Sequence, residues 1–270
     1  MSFLTDLASF EFLRYSLTAS FLVAFLTGLV SPVIVYKRME FIGDGLAHAI
    51  FAGVAFAVLL QFNIFLGSVL ATLVFAYLVY LISKKEIIAE STAIGMLLPV
   101  FMAIGVIVFS KSPRYTTDVT AYLFGNLLLI SKSDVLLIAL ILAIVTPVIL
   151  LNKYEIAYWI ADEKMAEFYG IKTKILKLIV LFSISMVVIS SLKLAGVIVM
   201  GAFLVLPGVF AKQFANSFGD AISKSVIFSI VFSLVGYISA YYFDTPPGPT
   251  IVLSLFVGFL LSLPFNKYRV

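Results

Sequence analysis

Apolar runs of about 17 to 25 residues, parted by short charged or turn-forming breaks, recur along the whole of this sequence. In hydrocarbon no water satisfies the backbone N–H and C=O groups, so a run of that length folds as a helix that closes its own hydrogen bonds. The runs extend from about Phe12 to Tyr36, Phe41 to Leu60, Ile64 to Ile82, Thr92 to Phe109, Asp134 to Leu151, Ile175 to Ser191, Leu194 to Phe210, Ser225 to Phe243 and Ile251 to Leu263. The expectation is an all-α, polytopic helix bundle with nine spans, eight being allowed. A kink or end is expected near Pro32, and a break at Pro207-Gly208. Residues 119–130, VTAYLFGNLLLI, are too short to span and read as a re-entrant or interfacial segment.

Composition closes off other classes. With 63% hydrophobic residues, 12% charged and a mean hydropathy of +1.17, residues 1–270 make a single transmembrane domain with no room for a soluble one. Cysteine is absent, which excludes disulfides and thiolate metal sites. The first positive charge, Arg14, follows Asp6 and Glu11, so the amino terminus does not resemble a cleavable signal. The net charge of +4 reports orientation in a multi-pass plasma-membrane protein rather than nucleic-acid binding. With nine spans, 13 basic residues fall on one set of connections (Lys37, Arg38 and the 152–174 loop among them) and 5 on the other. The positive-inside rule puts the richer set in the cytoplasm, and the amino terminus outside.

Against this background the second run carries an unusual pair. Asp44 and His48, the sole histidine, stand four residues apart and therefore on one side of a helix. An acid near a helix start also fits a cap facing water, which accounts for Asp44 taken alone. His48 lies about 15 Å beyond Arg38 at 1.5 Å per residue, close to the middle of a layer about 30 Å thick. An ionisable group at that depth is expensive and marks a pathway or ligand. One carboxylate and one imidazole on one face form half of a divalent-metal site. Gly45, Ala49, Gly53 and Ala57 place a small residue at every fourth position beside them, which lets another helix approach closely.

No phosphate loop, HExxH, CxxC or GxSxG occurs, so the chain shows no means of hydrolysing ATP itself, and nothing in the sequence places a serine within reach of His48 as a nucleophile. The longest polar interval contains ADEKMAEFYGIKT. From Ala161 to Ile171 it reads as a short amphipathic helix, with Met165, Phe168 and Tyr169 on one side, Asp162, Glu163, Lys164 and Glu167 on the other, and Gly170 as its stop. A helix lying on the membrane surface is the plain alternative. Such anchors favour a basic polar face, and this one holds three acids to one lysine, so a protein partner is the better fit.

Several ordered motifs then converge. KRMEFIGDGLAHAIFAGVAFA resembles the paired-basic, GDxLxHA and small-residue pattern of the permease subunits of bacterial zinc and manganese ABC transporters. The same family is resembled at Glu90 to Gly95, at Tyr122 to Gly125 (YLFG), at Asp162 to Ile171 (DExxAxxxGI, including Ala166), at Lys193 to Pro207 (KxxGxxxxGAxLxLP) and at Asp244 to Val252. Pro247 and Pro249 depart from the pattern, which has Thr and Ala there. The resemblance covers nearly the whole chain. It implies the permease of an ATP-driven importer, working as a homodimer with two cytoplasmic ATP-binding subunits and an extracytoplasmic metal-binding protein. It also implies a metal-contact role for Asp44 and His48, an ATPase-coupling role for Asp162, Glu163, Met165, Ala166, Phe168, Tyr169 and Gly170, and a divalent metal that is cargo rather than resident cofactor. Two ligands cannot separate zinc from manganese or iron. A proton-coupled secondary carrier, with Asp44 and His48 as the relay, is the rival from another class.

Overall fold

The structure, a computed structural model, describes residues 3–84, 88–111 and 130–265, with no side-chain detail at 4, 192–195 and 197–199. Among these residues every regular element is helical: α1 (Phe3–Ser9), α2 (Glu11–Tyr36), α3 (Ile42–Leu59), α4 (Ile64–Ser83), α5 (Glu90–Ser110), α6 (Lys132–Leu151), α7 (Lys153–Ala161), α8 (Glu163–Phe168), α9 (Thr173–Phe214), α10 (Phe218–Phe243) and α11 (Pro247–Ser262), closed by a 3-10 turn at Leu263–Phe265. Most of the segment expected to be re-entrant, and the YLFG motif within it, lies outside the described residues.

Helix starts follow local chemistry. Asn63, Ser131, Asp162 and Ser217 each accept a backbone N–H of the first turn through the side chain, and Ser131 with Asp134 forms a reciprocal capping box. The Ser217 cap starts α10 at Phe218, earlier than the apolar pattern at Ser225 indicated. The polar interval after Leu151 is not one loop with one helix in it. It folds as α7 and α8, separated by the extended Asp162.

Ionic and aromatic contacts sort the helix ends into two faces. On one face, Lys37 just past α2 meets Glu163 at 3.9 Å, and Lys177 of α9 meets Glu90 of α5 at 2.7 Å. Lys212, near the end of α9, lies over the Tyr36 ring, and that ring is in edge contact with Phe218 at the start of α10. On the opposite face Tyr241, near the end of α10, donates to Asp6 of α1, and Tyr237 bonds Ser16 of α2 at 2.5 Å.

Both ends of α9 therefore sit on the same face. Forty-two residues of straight helix would run about 63 Å, roughly twice the hydrocarbon thickness. The chain instead reverses at Gly196, whose φ of 71° and ψ of 167° leave helical space where glycine alone is comfortable. Thr173–Ser191 forms the outward arm and Met200–Phe214 the returning one. Among the described residues eight helices are long and apolar enough to cross a membrane, and the returning arm, about 22 Å long, is a shorter ninth. It begins later than the expected Leu194, because the reversal takes up the residues before it.

The expected break at Pro207-Gly208 does not occur, and α9 continues through both. Ser31 of α2 supplies the missing connection, its hydroxyl accepting from the Gly208 N–H at 2.7 Å and donating to the Val205 carbonyl at 3.3 Å. Likewise Pro32 sits inside an unbroken α2. Helices α2 and α3 and the outward arm of α9 are the most buried spans, and α6, with Leu136, Leu140 and Ile144 exposed along one side, is the most peripheral.

Candidate functional site

The turn from α2 into α3 sets the depth and direction of the acid and the histidine. Arg38 adopts a left-handed φ of 58°, the Met39 N–H reaches back to the Ile34 carbonyl at 2.8 Å, and Met39 is sealed in the core. Helix α3 then starts at Ile42, so Asp44 lies in its first turn and His48 one turn further.

The two residues are coupled directly. The His48 ring, through Nδ1, lies 2.7 Å from the Asp44 carbonyl oxygen. With the Nδ1 proton donated to that carbonyl, the Nε2 lone pair is the one left for an electrophile, the arrangement by which proteins orient an imidazole toward a metal. Both side chains are half-buried, so the pair is neither sealed in the core nor fully at the surface.

The Asp44 carboxylate rests against Gly201 on the returning arm of α9, where a Cβ would stand 2.6 Å from Oδ1. A Cβ on Gly43 would lie 3.2 Å from the Gly201 Cα, so the two helices touch almost backbone to backbone beside the acid. No cluster of three or more His, Asp or Glu side chains occurs among the described residues. Within them one chain offers this pair and no larger set.

The small-residue stripe faces inward. A Cβ on Gly45 would meet Phe75 of α4 and Ile94 of α5, and one on Gly53 would meet the Gly67 carbonyl and Ala71 of α4. Ala57 touches Gly67 from the other side, and Ala49 is fully buried. The stripe packs α3 against α4 within the chain.

The segment of α8 and the turn after it divides its residues between holding and presenting. Asp162 caps α8 by accepting from the Met165 N–H at 3.0 Å, Glu163 pairs with Lys37, and Glu167 accepts from the Thr173 hydroxyl at 2.6 Å. All three acids are thus engaged inside the chain, and the expected acidic rim is used to fix the segment in place. Ala166 is buried beneath it, and Gly170, at φ 83°, turns the chain toward α9. Phe168 is 83% exposed, and Met165 and Tyr169 are also exposed. These three present an apolar patch, extended by Tyr158 of α7, whose ring lies 6.0 Å from that of Tyr169.

Four residues whose contacts the sequence reading did not foresee fasten this face, Lys37 and Trp159 joining the segment to the end of α2, and Lys177 and Glu90 joining α9 to α5. Lys37 bonds the Trp159 carbonyl at 3.1 Å and stands 4.1 Å from the centre of the fully buried Trp159 ring. Lys177, 2% exposed, joins Glu90 and also donates to the Ser83 carbonyl at 3.4 Å. The signals were present: Trp159 is the sole tryptophan, and Lys177 sits inside an apolar run. Their partners are distant in sequence, which no spacing reveals.

A family model described as the ABC 3 transport family matches residues 9–266. A probable metal transport system membrane protein of Thermotoga maritima is 47% identical over 98% of this chain and 94% of its own length. A manganese transport system membrane protein of Listeria monocytogenes is 29% identical over 100% of this chain and 99% of its own. Among solved structures, PsaBC from Streptococcus pneumoniae in complex with Fab superposes with a TM-score of 0.86 at 27% identity, covering 99% of this chain and 96% of that one.

Proposed function

The chain belongs to the ABC 3 transport family, and from that premise we propose that it is the membrane-spanning permease of an ATP-driven importer for a divalent transition metal. The relatives named for metal and manganese transport support this reading along their whole length. The observation that carries it into this chain is the Asp44/His48 pair, placed inside the bundle with the histidine proton held by a backbone carbonyl. A carboxylate and a neutral imidazole suit zinc, manganese or iron, with geometry and delivery deciding among them. Two side chains per copy bind weakly enough to release, as a conduit must. A second copy of the chain, water or backbone carbonyls would complete the coordination.

Chemical energy comes from outside the chain, which carries no phosphate loop. The exposed patch of Met165, Phe168 and Tyr169 fits a groove on a separate ATPase, two copies of which would serve a dimer, and an extracytoplasmic metal-binding protein would load the ion from the opposite face.

The test is uptake of radioactive manganese or zinc, in mutual competition, by the reconstituted complex. Replacement of His48 or Asp44 by Ala is expected to abolish uptake while the chain still folds and still co-purifies with the ATPase, because each side chain is half-buried and removed without opening the core. Unchanged uptake in both variants would sink the assignment.

A further inference from the structure

The returning arm of α9 meets α3 at the acid of the metal pair, and the contact is made by a glycine whose own backbone does not require one. Gly201 has ordinary helical geometry, unlike Gly196 and Gly170, the two glycines of the described residues with positive φ. In a helix interior glycine is disfavoured relative to alanine, so its presence there calls for a steric reason. Close packing of two backbones is one such reason, and Gly43 shows it, since a Cβ there would meet Leu204 and the Gly201 backbone. Gly201 differs. The three atoms that a Cβ on it would meet first are Oδ1, Cγ and Oδ2 of Asp44, at 2.6, 3.2 and 3.3 Å.

We propose that Gly201 is a positioning residue for the metal pair: the space left by its missing side chain holds the Asp44 carboxylate and fixes the direction in which it meets the ion. This rests on the reading of Asp44 and His48 as metal contacts. The arm cannot readily retreat from a larger residue, because Ser31 of α2 grips it at Val205 and Gly208, one to two turns further along. A methyl group at 201 therefore displaces the carboxylate and not the helix. His48 is spared, since its partner is the Asp44 main-chain carbonyl and not the carboxylate. The effect of a substitution is accordingly a partial loss of coordination, distinct from the removal of a ligand. Losing an outer contact that orients a metal ligand typically weakens affinity about 10- to 100-fold.

The experiment uses the full chain reconstituted with its ATPase in vesicles, with manganese as the probe, comparing wild type, Gly201→Ala, Asp44→Ala and the double variant. For Gly201→Ala the manganese concentration at half-maximal uptake should rise about 10- to 100-fold, with a smaller change in maximal rate. Thermal unfolding of the purified chain without metal supplies a second readout. Gly201→Ala should lower the melting temperature in the wild-type background and leave it unchanged or raise it in the Asp44→Ala background, because the clash needs the carboxylate and alanine is otherwise the better helix former. Should Gly201→Ala fail to fold, recovery of folding in the double variant supports the proposal. Continued failure to fold in the double variant overturns it, as does an equal melting shift in both backgrounds or an unaltered half-saturation in Gly201→Ala. Asp44→Ala with normal uptake would instead overturn the metal role of Asp44 on which the proposal rests, whatever the melting data say of the contact.

Discussion

At the scale of single residues, the charged groups of this chain are spent on position. Lys177 and Glu90 lie 2.7 Å apart with side-chain exposures of 3% and 16%, close to the first turns of α9 and α5. Taking two charges out of water is costly, so such a pair adds little net stability, yet removing one partner leaves the other buried and uncompensated. Lys177→Ala is therefore expected to lower unfolding stability in detergent by about 3–5 kcal/mol. A paired Lys177→Met, Glu90→Leu replacement should recover most of that loss. Thermal or denaturant unfolding of the three variants measures both, and an unstable double variant would show that the network beyond the pair, including the Ser83 carbonyl, is what Lys177 serves.

Among elements, α7 and α8 are the pieces whose surface has no other evident use. Trp159 and Ala166 anchor them from below, Lys37 holds them through Glu163 and through the Trp159 carbonyl and ring, and Phe168 stands out at 83% exposure. Lys37 is also the residue from which the chain turns into α3, so one side chain links the segment to the start of the helix that carries Asp44. If Phe168 is a buried anchor in the complex, its truncation to Ala costs about 1–3 kcal/mol of docking energy. Co-purification of the ATPase should fall in a Met165→Ala, Phe168→Ala variant. In Lys37→Met docking should persist while metal-stimulated ATP hydrolysis and uptake separate. Equal recovery and equal hydrolysis in all variants would assign the segment to the membrane surface.

Over the whole molecule, the described residues offer eight candidate spans and the shorter returning arm of α9, the last turn of α2 and both ends of α9 sharing the basic face and the α10–α11 connection lying on the other. Because the sequence contains no cysteine, single cysteines report this directly. Residues 163, 174 and 212 should be protected from an impermeant thiol reagent in intact cells, and residue 245 should be labelled. Labelling at 212 but not at 174 would mean that α9 crosses once and does not return.

Much of this was legible in order along the chain. Lipid leaves a long apolar run no fold but a helix, so the spans from α2 to α6 are readable to within a few residues, and four-residue spacing alone puts Asp44 and His48 on one side of α3. The resemblance carried by GDGLAHA, ADEKMAEFYGI and KLAGVIVMGAFLVLP located the family before any contact was known. Tertiary structure decided what depends on residues far apart in sequence. Pro207-Gly208 reads as a break until Ser31, 177 positions from Gly208, is seen to complete the backbone hydrogen bonding there. The acids at and around α8 read as a rim for a partner until Lys37 and Thr173 are found to occupy two of them. Gly201 reads as one more small residue in a membrane helix until the Asp44 carboxylate is found in the space that its side chain would fill. Periodicity records which way a residue points on its own helix, and only packing determines what it meets there.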